Sequence, residues 1–127
     1  MAIAVACEIF EKGFDVVCVN AFSLNEEFLK ERTNFERSQN FLTKYIEPDL
    51  LIIDDLGVEP KYKNVTENYL YLLLSMRQDA NKSTIITTNL QLAGIEEEYG
   101  QRNFSRICNK AITHIFQLSS CDLRLKA

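Results

Sequence analysis

Residues 49–57 read DLLIIDDLG, in which four consecutive apolar residues run directly into two aspartates. An unbroken apolar run of this length is typical of a strand buried on both faces, as in a parallel sheet covered by helices. Carboxylates at the end of a buried strand are costly unless something binds them. Mg²⁺ suits this position, because it is often held by one or two carboxylates together with substrate phosphates. The stretch therefore predicts a strand that presents Asp54 and Asp55 to a metal ion.

The pattern has the form of a Walker B motif, in which a strand supplies an acid to the metal ion of a bound nucleotide. On that interpretation Asp54 holds the Mg²⁺ shell and Asp55 polarises the attacking water. The alternative is a strand followed by an ordinary turn, because aspartate is common in turns. The motif by itself leaves both alternatives open.

Composition limits the classes of protein to which the chain can belong. Its 127 residues are enough for one domain, and a hydrophobic fraction of 46% argues for a folded core. No apolar run has the length of a membrane span, and the first ten residues lack the basic start of a signal peptide. The net charge of −4 gives no general basic field for nucleic acid.

The cysteines and the single histidine argue against a zinc site, because the four cysteines show no CxxC spacing. Cys7 and Cys18 lie among apolar residues and are predicted to be small buried hydrophobic residues in a reducing cytosol. His114 lies in an apolar run. It is predicted to be a packed strand residue and not a general base.

Helical and strand patterns alternate along the chain. Helices are predicted over residues 2–12, from residue 23 towards residue 45, from residue 64 onwards, over 90–99 and, for a turn or two, over 103–109. Strands are predicted over residues 14–19, 49–57, 83–89 and 111–118. The predicted core face of the third helix comprises Val65, Tyr69, Leu72, Leu73 and Met76. This alternation predicts an α/β layer fold with a largely parallel sheet.

Polar side chains follow three of the predicted strands. They are Asn20, then Asp54 with Asp55, then Asn89. In open α/β sheets ligands bind at the carboxyl ends of the strands. These side chains are therefore expected to converge at one rim, as a phosphate and metal site requires.

Four segments occur in the order found in a known family. They are DLLIIDDLG at 49–57, TIITTNL at 84–90, YGQRNFSRI at 99–107 and CDLRLK at 121–126. Together with the opening AIAVACEIFEKGFDVVCV at 2–19, they resemble the AAA+ ATPase domain of the DnaC/DnaI helicase loaders and the related IstB transposition helpers. The resemblance covers essentially the whole chain. It implies a P-loop NTPase-like α/β fold over residues 1–127, with a parallel sheet between helices.

The resemblance also implies roles at the predicted rim. Asp54 would bind Mg²⁺, and Asp55 would be the acid that activates water. Asn89 would be the sensor-1 residue, a neutral amide that hydrogen-bonds the γ-phosphate or its attacking water. The alternative for Asn89 is a turn residue after a strand.

Three arginines acquire roles by the same resemblance. Either Arg102 or Arg106 would be the arginine finger, which reaches the nucleotide of a neighbouring subunit and stabilises charge in the transition state. The choice between the two stays open, and the alternative is an ordinary surface arginine. Arg124 would be the sensor-2 arginine near the phosphates, with a solvated tail residue as its alternative.

One motif of the family does not occur in these residues. None of the four glycines lies in a GxxxxGK[ST] pattern, the loop that cradles phosphates and supplies a lysine and a hydroxyl ligand for Mg²⁺. The strand that precedes this loop in the family does not occur either, so residues 49–57 and a neighbouring strand are expected to have open edges. We expect a truncated form of a longer protein, of marginal stability, that binds ATP weakly or not at all.

The resemblance implies an ATP-dependent DNA replication protein of the helicase-loader type that assembles with further copies of itself and acts on a replicative helicase. An IstB-like transposition helper, with a transposase as its partner, would have the same site. The alternative from a different class is a non-catalytic α/β interaction remnant unable to bind ATP. Single-stranded DNA is a further partner that the family implies, and the scattered lysines Lys61, Lys63, Lys110 and Lys126 would give it only local contacts.

Overall fold

The computed structural model of the chain describes residues 2–33, 42–109 and 111–116. The elements in chain order are α1 (Ala2–Glu11), β1 (Val16–Asn20), α2 (Ala21–Thr33), α3 (Thr43–Ile46), β2 (Leu50–Leu56), α4 (Thr66–Asp79), β3 (Ser83–Thr88) and α5 (Leu92–Ile107). The predicted alternation of helices and strands is confirmed as far as α5. None of the helices in these ranges combines the length and the apolar character needed to cross a membrane.

The sheet of the described residues has three parallel strands in the order β1-β2-β3. The central strand β2 is paired on both sides, so Leu51, Ile52 and Ile53 are completely buried. The expectation that residues 49–57 would have an open edge is therefore wrong. The open edges in this sheet belong to β1 and β3, whose side chains are only partly buried or exposed.

The core lies between one face of the sheet and the helices packed on it. Its members include Leu24 and Phe28 of α2, Leu51 and Ile53 of β2, Leu70, Leu73 and Leu74 of α4, and Ile95 and Tyr99 of α5. The predicted core face of the third helix is only partly correct, because Leu72 and Met76 are 44% and 42% exposed. The buried face of α4 is shifted and includes a charged residue, Arg77.

Arg77 joins the middle of the chain to β3. Its guanidinium is completely buried and donates hydrogen bonds to the carbonyls of Tyr45, Ile46, Pro48 and Ser83 and to the hydroxyl of Thr84. These acceptors include the last carbonyls of the short helix α3, which have no partner within that helix. Arg77 thus fixes the approach of the chain to β2 and the amino end of β3.

Three predictions about exposed segments are wrong. Residues 111–116, assigned to a last strand, form a turn and irregular backbone in which Ile115 and Phe116 are 53% and 83% exposed. A strand needs a pairing partner, and this segment pairs with none of the described strands. His114 is exposed, as are Cys7 and Cys18, because the outer faces of α1 and β1 are not covered by the described residues. Residues 117–118 lie outside the described ranges.

Candidate functional site

The carboxyl ends of the three parallel strands lie at one rim of the sheet. Asn20 is opposite Asp54 in the register of β1 and β2, and Asp55 follows Asp54 in β2. Asn89 follows immediately after Thr88, the last residue of β3. Parallel pairing therefore brings the four polar residues of the sequence prediction to the same edge.

Asn20 has a structural task at this rim. Its side-chain oxygen accepts a hydrogen bond of 2.7 Å from the backbone N–H of Ser23, so it caps the start of α2. The predicted start of this helix near Ser23 is therefore two residues late. The amide oxygen of Asn20 is therefore engaged in the helix cap, and no contact of Asn20 with the aspartates is required.

Thr87 holds the two aspartates in place. Its hydroxyl donates a hydrogen bond of 2.5 Å to Asp54 Oδ1 and accepts one of 2.9 Å from the backbone N–H of Asp55. Asp54 is half-buried, and Asp55 is exposed. Sequence reasoning did not single out Thr87. The available signal was a threonine on the strand next to the aspartates, two residues before Asn89.

The backbone is irregular where the aspartates stand. The pairing of β2 with β3 shifts between Ile53 and Leu56, and Asp55 adopts a φ of 56°. A non-glycine residue in the left-handed region is uncommon, and Asp is among the types that tolerate it. Such backbone conformations persist where the surrounding structure enforces them, which at Asp55 includes the Thr87 hydrogen bond.

The donor set at this rim fits Mg²⁺. In the described ranges no group of three or more His, Cys, Asp or Glu residues could hold a metal by itself. Magnesium does not need such a group, because it keeps several waters and is bound through one or two carboxylates plus phosphates. Asp54 and Asp55 supply these carboxylates, and Asp54 bonds Thr87 through one of its two oxygens.

Thr88 fixes the backbone next to Asn89. Its hydroxyl donates to the carbonyl of Leu56 at 2.5 Å and accepts from the backbone N–H of Leu90 at 3.1 Å. Asn89 itself is exposed. The arrangement presents an amide to solvent from a fixed backbone position beside the aspartates.

The loop after β2 is tied to α5 through a buried acid. Glu59 is 4% exposed, accepts a 3.0 Å hydrogen bond from the backbone N–H of Gly57, and accepts another from the hydroxyl of Tyr99. Burial, followed by this contact with Glu59, raises the pKa of Tyr99 well above its usual value. Lys61 lies 2.9 Å from Glu98 and over the Tyr99 ring. No local sequence pattern marks this link between the loop and α5.

A kink at Gly100 divides α5 into two helical parts. Gly100 has φ 84° and ψ 164°, a conformation essentially restricted to glycine. A Cβ atom there would collide with the carboxylate of Glu67. The end predicted at residue 99 for the helix over 90–99 thus corresponds to this kink, and the part that follows carries Arg102 and Arg106.

Arg102 and Arg106 lie on a surface formed with α4. The arginine surface, as we call it, is an open groove of about 320 Å³ lined by Tyr71, Gln78, Arg102, Ser105, Arg106 and Asn109. The guanidinium carbons of Arg102 and Arg106 lie 4.6 and 5.3 Å from the centre of the Tyr71 ring. Its contact with Arg106 lowers the pKa of the Tyr71 phenol.

Gln78 holds Arg106 at two points. The Gln78 amide nitrogen donates to the Arg106 carbonyl at 3.0 Å, and Arg106 Nη1 donates to Gln78 Oε1 at 2.9 Å. Arg102 is less constrained, since its hydrogen bond to Asn68 is 3.4 Å long. Sequence reasoning found both arginines and missed Tyr71 and Gln78, which are 24 or more residues away from them in the chain.

Arg106 and the aspartates of the same chain lie towards opposite edges of the sheet. Arg106 contacts Gln78 in the last turn of α4, and Arg77 beside it bonds Ser83 at the amino end of β3. Asp54 lies at the opposite, carboxyl edge of the sheet. Six residues of β3 separate these edges, a length of about 20 Å. Arg124, Lys110 and Lys126 lie outside the described residues.

Comparison with known proteins gives one family and several structural neighbours. The family described as IstB-like ATP binding protein matches residues 1–122. A search of curated proteins found no match.

Three solved structures share the fold. The DnaC helicase loader is 24% identical, has a TM-score of 0.73, and is matched over 89% of this chain and 67% of its own. AMPPCP-bound DnaA from Aquifex aeolicus is 18% identical, with a TM-score of 0.64 over 80% of this chain and 31% of its own. A DNA replication initiation factor is 17% identical, with a TM-score of 0.67 over 78% and 30%. These likenesses identify a P-loop NTPase-like α/β fold.

Proposed function

The chain belongs to the family of IstB-like ATP-binding proteins, as an AAA+ domain of the DnaC/IstB type, and we propose that it is the ATP-hydrolysing core of a DNA replication protein of the helicase-loader type. The observation that carries this proposal is the Thr87 hydroxyl, which bonds both the Asp54 carboxylate and the Asp55 backbone. A strand that merely ends in a turn does not require that arrangement.

In this proposal the residues of the rim divide the work. Asp54 holds Mg²⁺, which when bound neutralises charge on the phosphates. Asp55, which is exposed and held in a left-handed backbone conformation, orients the attacking water and accepts its proton. Asn89 donates its amide hydrogen to the γ-phosphate or that water. Thr87 acts through Asp54 and Asp55 as a positioning residue.

The arginines complete the site of a second copy. Arg106 lies about one strand length from the aspartates of its own chain, so its natural target is a nucleotide bound by a neighbour. Arg106 is the better candidate for the finger, because Gln78 and Tyr71 hold its guanidinium while Arg102 is less constrained. Arg124 is proposed as the sensor-2 arginine on the family resemblance alone.

Two partners are compatible with this core. The fold is similar to that of a DnaC helicase loader, which favours a replicative helicase. The matching family is described as IstB-like, which favours a transposase and makes a transposition helper the second candidate. Stimulation of ATP hydrolysis by one purified partner and not the other separates the two. Single-stranded DNA is a further proposed partner, and with a net charge of −4 it would need a local basic surface.

Substitution of the aspartates tests the activity. In a longer form of the protein that carries a GxxxxGK[ST] loop, we expect Asp55→Asn to lower the rate of ATP hydrolysis by about 10²-fold or more while ATP still binds, because a general base is lost. Asp54→Ala should also abolish Mg²⁺-dependent nucleotide binding. Asp79→Asn, which changes a carboxylate at the far end of α4, is the matched control and should leave hydrolysis unchanged.

The measurements are nucleotide titration by calorimetry and phosphate release, with thermal unfolding to verify the fold of each variant. Unchanged hydrolysis in Asp55→Asn would contradict the role given to Asp55. ATP binding that is absent from that longer form as well would contradict the catalytic proposal and favour the non-catalytic remnant. The 127 residues alone, which contain no GxxxxGK[ST] pattern, are expected to bind ATP weakly or not at all, and a micromolar affinity for ATP would contradict that expectation.

A further inference from the structure

The arginine surface carries two positive charges that lie close together, and it differs in this from the lysines of the ion pairs among the described residues. Lys12, Lys44, Lys61 and Lys82 each form an ion pair with a carboxylate. Within residues 2–33, 42–109 and 111–116, neither Arg102 nor Arg106 has such a pair. Both guanidiniums nevertheless lie near one tyrosine ring, so two like charges are held together without a neutralising acid.

The groups around the arginines favour this arrangement. An aromatic face attracts cations, and Tyr71 offers its ring to both guanidiniums at 4.6 and 5.3 Å. Gln78 removes much of the freedom of Arg106 by bonding both its backbone carbonyl and its Nη1. Arginine has five N–H donors in a rigid fork, so these contacts leave further donors of Arg106 for a ligand.

We propose that Tyr71 is a positioning residue that holds Arg102 and Arg106 side by side on its ring, with Gln78 fixing Arg106, and that the arginine surface thereby receives the terminal phosphate of a nucleotide bound by a second copy of this chain. The inference rests on the proposed function, because it assumes that the arginines act on a neighbour. It adds two residues that contact neither phosphate nor water themselves.

The shape and charge of the surface favour a nucleotide phosphate over a nucleic-acid strand. The open groove of about 320 Å³ offers two guanidiniums, with the Ser105 hydroxyl and the Asn109 amide beside them, a donor set that suits one phosphate group. A strand would require a line of basic residues, and the chain has a net charge of −4. Pre-organised arginines suit the terminal phosphate, because the cost of ordering two long side chains is already met.

The test measures binding of inorganic tripolyphosphate to the chain at low ionic strength, where exposed charges are least screened. The signals of the arginine Nε–Hε groups in NMR spectra report both binding and the ring current of Tyr71. The variants are Arg102→Ala, Arg106→Ala, Tyr71→Leu, which keeps bulk and removes the ring, Tyr71→Phe, which keeps the ring, and Gln78→Met. Tyr62→Phe, at a phenol that bonds Glu26 instead, is the matched control.

We expect each arginine variant to lose tripolyphosphate binding, and Tyr71→Leu and Gln78→Met to weaken it by about two- to fivefold. Tyr71→Phe should lose less than Tyr71→Leu, and Tyr62→Phe should bind as the parent does. In Tyr71→Leu, the signals of both arginines should also move towards their positions in an unstructured chain. Thermal unfolding shows whether each variant keeps its fold. If Tyr71→Leu does not fold, the Tyr71→Phe and Gln78→Met variants test the positioning inference instead.

The possible failures are distinguishable. If the arginine variants lose binding while Tyr71→Leu and Gln78→Met bind like the parent, the positioning inference is overturned and the proposed role of the arginines survives. If the arginine variants bind like the parent, the phosphate surface and the proposed trans role fall together. A single-stranded oligonucleotide is the competitor, added at equal phosphate concentration. If it displaces tripolyphosphate with far higher affinity, the surface binds nucleic acid and the assignment to a nucleotide phosphate is overturned.

Discussion

Helix α4 carries arginine contacts of two kinds, one inside the molecule and one at its surface. Arg77 is completely buried and donates five hydrogen bonds to acceptors of the same chain. Arg106, which contacts α4 through Gln78 and Tyr71, is only partly buried and has donors that remain for a ligand. The number of donors already engaged therefore separates an arginine that stabilises the fold from one that can bind a ligand.

The surroundings explain why a charge is tolerated at Arg77. Burial lowers the pKa of its guanidinium, and the nearby carboxylate of Asp49 opposes that effect. The acceptors are mostly carbonyls at the end of α3 and at the start of β3. The last carbonyls of α3 have no hydrogen-bond partner within that helix. The partial negative charge at the end of a helix further favours a cation there.

The largest loss of stability should come from substituting the buried arginine, Arg77. Arg77→Met should lower the free energy of unfolding by about 3–5 kcal/mol, because several buried carbonyls lose their donor at once. Arg106→Met should change it by less than about 0.5 kcal/mol, as surface substitutions usually do. Urea unfolding followed by circular dichroism measures both. Equal losses in the two variants would show that Arg106 also holds the fold and would remove the distinction.

The second effect concerns the segment that carries the surface arginines. Gly100→Ala should cost about 1–3 kcal/mol, because its φ of 84° and ψ of 164° are strained for any residue with a Cβ. That atom would also meet the Glu67 carboxylate. The loss should be accompanied by weaker tripolyphosphate binding, since the kink directs the part of α5 with Arg102 and Arg106.

Gly94→Ala is the matched control for this substitution. Gly94 has ordinary helical geometry, and a Cβ there would lie 3.6 Å from the nearest atom of Leu90. Alanine in a helix is favoured over glycine by about 0.5–1 kcal/mol, so this variant should be as stable as the parent or more so. A Gly100→Ala variant that matched Gly94→Ala in stability would refute the account of the kink.

The same contrast explains what the sequence could predict. The aspartate rim depends on a local pattern, an apolar run followed by acids, and on the rule that parallel strands end at one edge. The sequence of segments 49–57 and 84–89 therefore sufficed to predict that Asp54, Asp55 and Asn89 lie at the same edge. The partners of the arginines come from helix packing between distant segments, and neither Tyr71 nor Gln78 has a neighbouring residue in the sequence that marks it.

The errors have equally specific causes. The core face of α4 was misplaced because a charged residue, Arg77, occupies an apolar position of the helical stripe and is satisfied by contacts 6 to 32 residues away. The strand predicted over residues 111–118 failed for residues 111–116, because β-branched residues favour a strand only where a partner strand is present. Sequence patterns report what a segment favours, and tertiary partners decide between alternatives.

The smallest expected effect is a difference in pKa between two tyrosines, one at the arginine surface and one inside the molecule. Tyr71 faces Arg106, which lowers its pKa, whereas Tyr99 is buried against Glu59, which with burial raises its pKa. In an unfolded chain both would titrate near pH 10. In alkaline titration followed by tyrosinate absorbance, the signal lost in Tyr71→Phe should therefore be the first to appear, and the signal lost in Tyr99→Phe should appear only on unfolding.

The two shifts have opposite consequences for stability. The contribution of Tyr99 is complete below about pH 10, and it is lost as pH rises, because the unfolded phenol ionises first. The contribution of Tyr71 is complete above about pH 10 and is lost as pH falls through its lowered pKa, and its exposure to solvent keeps it small. Urea midpoints of the parent and of Tyr99→Phe should therefore converge as pH rises above about 10. A Tyr71 phenol that titrates with Tyr62, whose bond to Glu26 raises its pKa, would mean that Arg106 does not lie against the ring in solution.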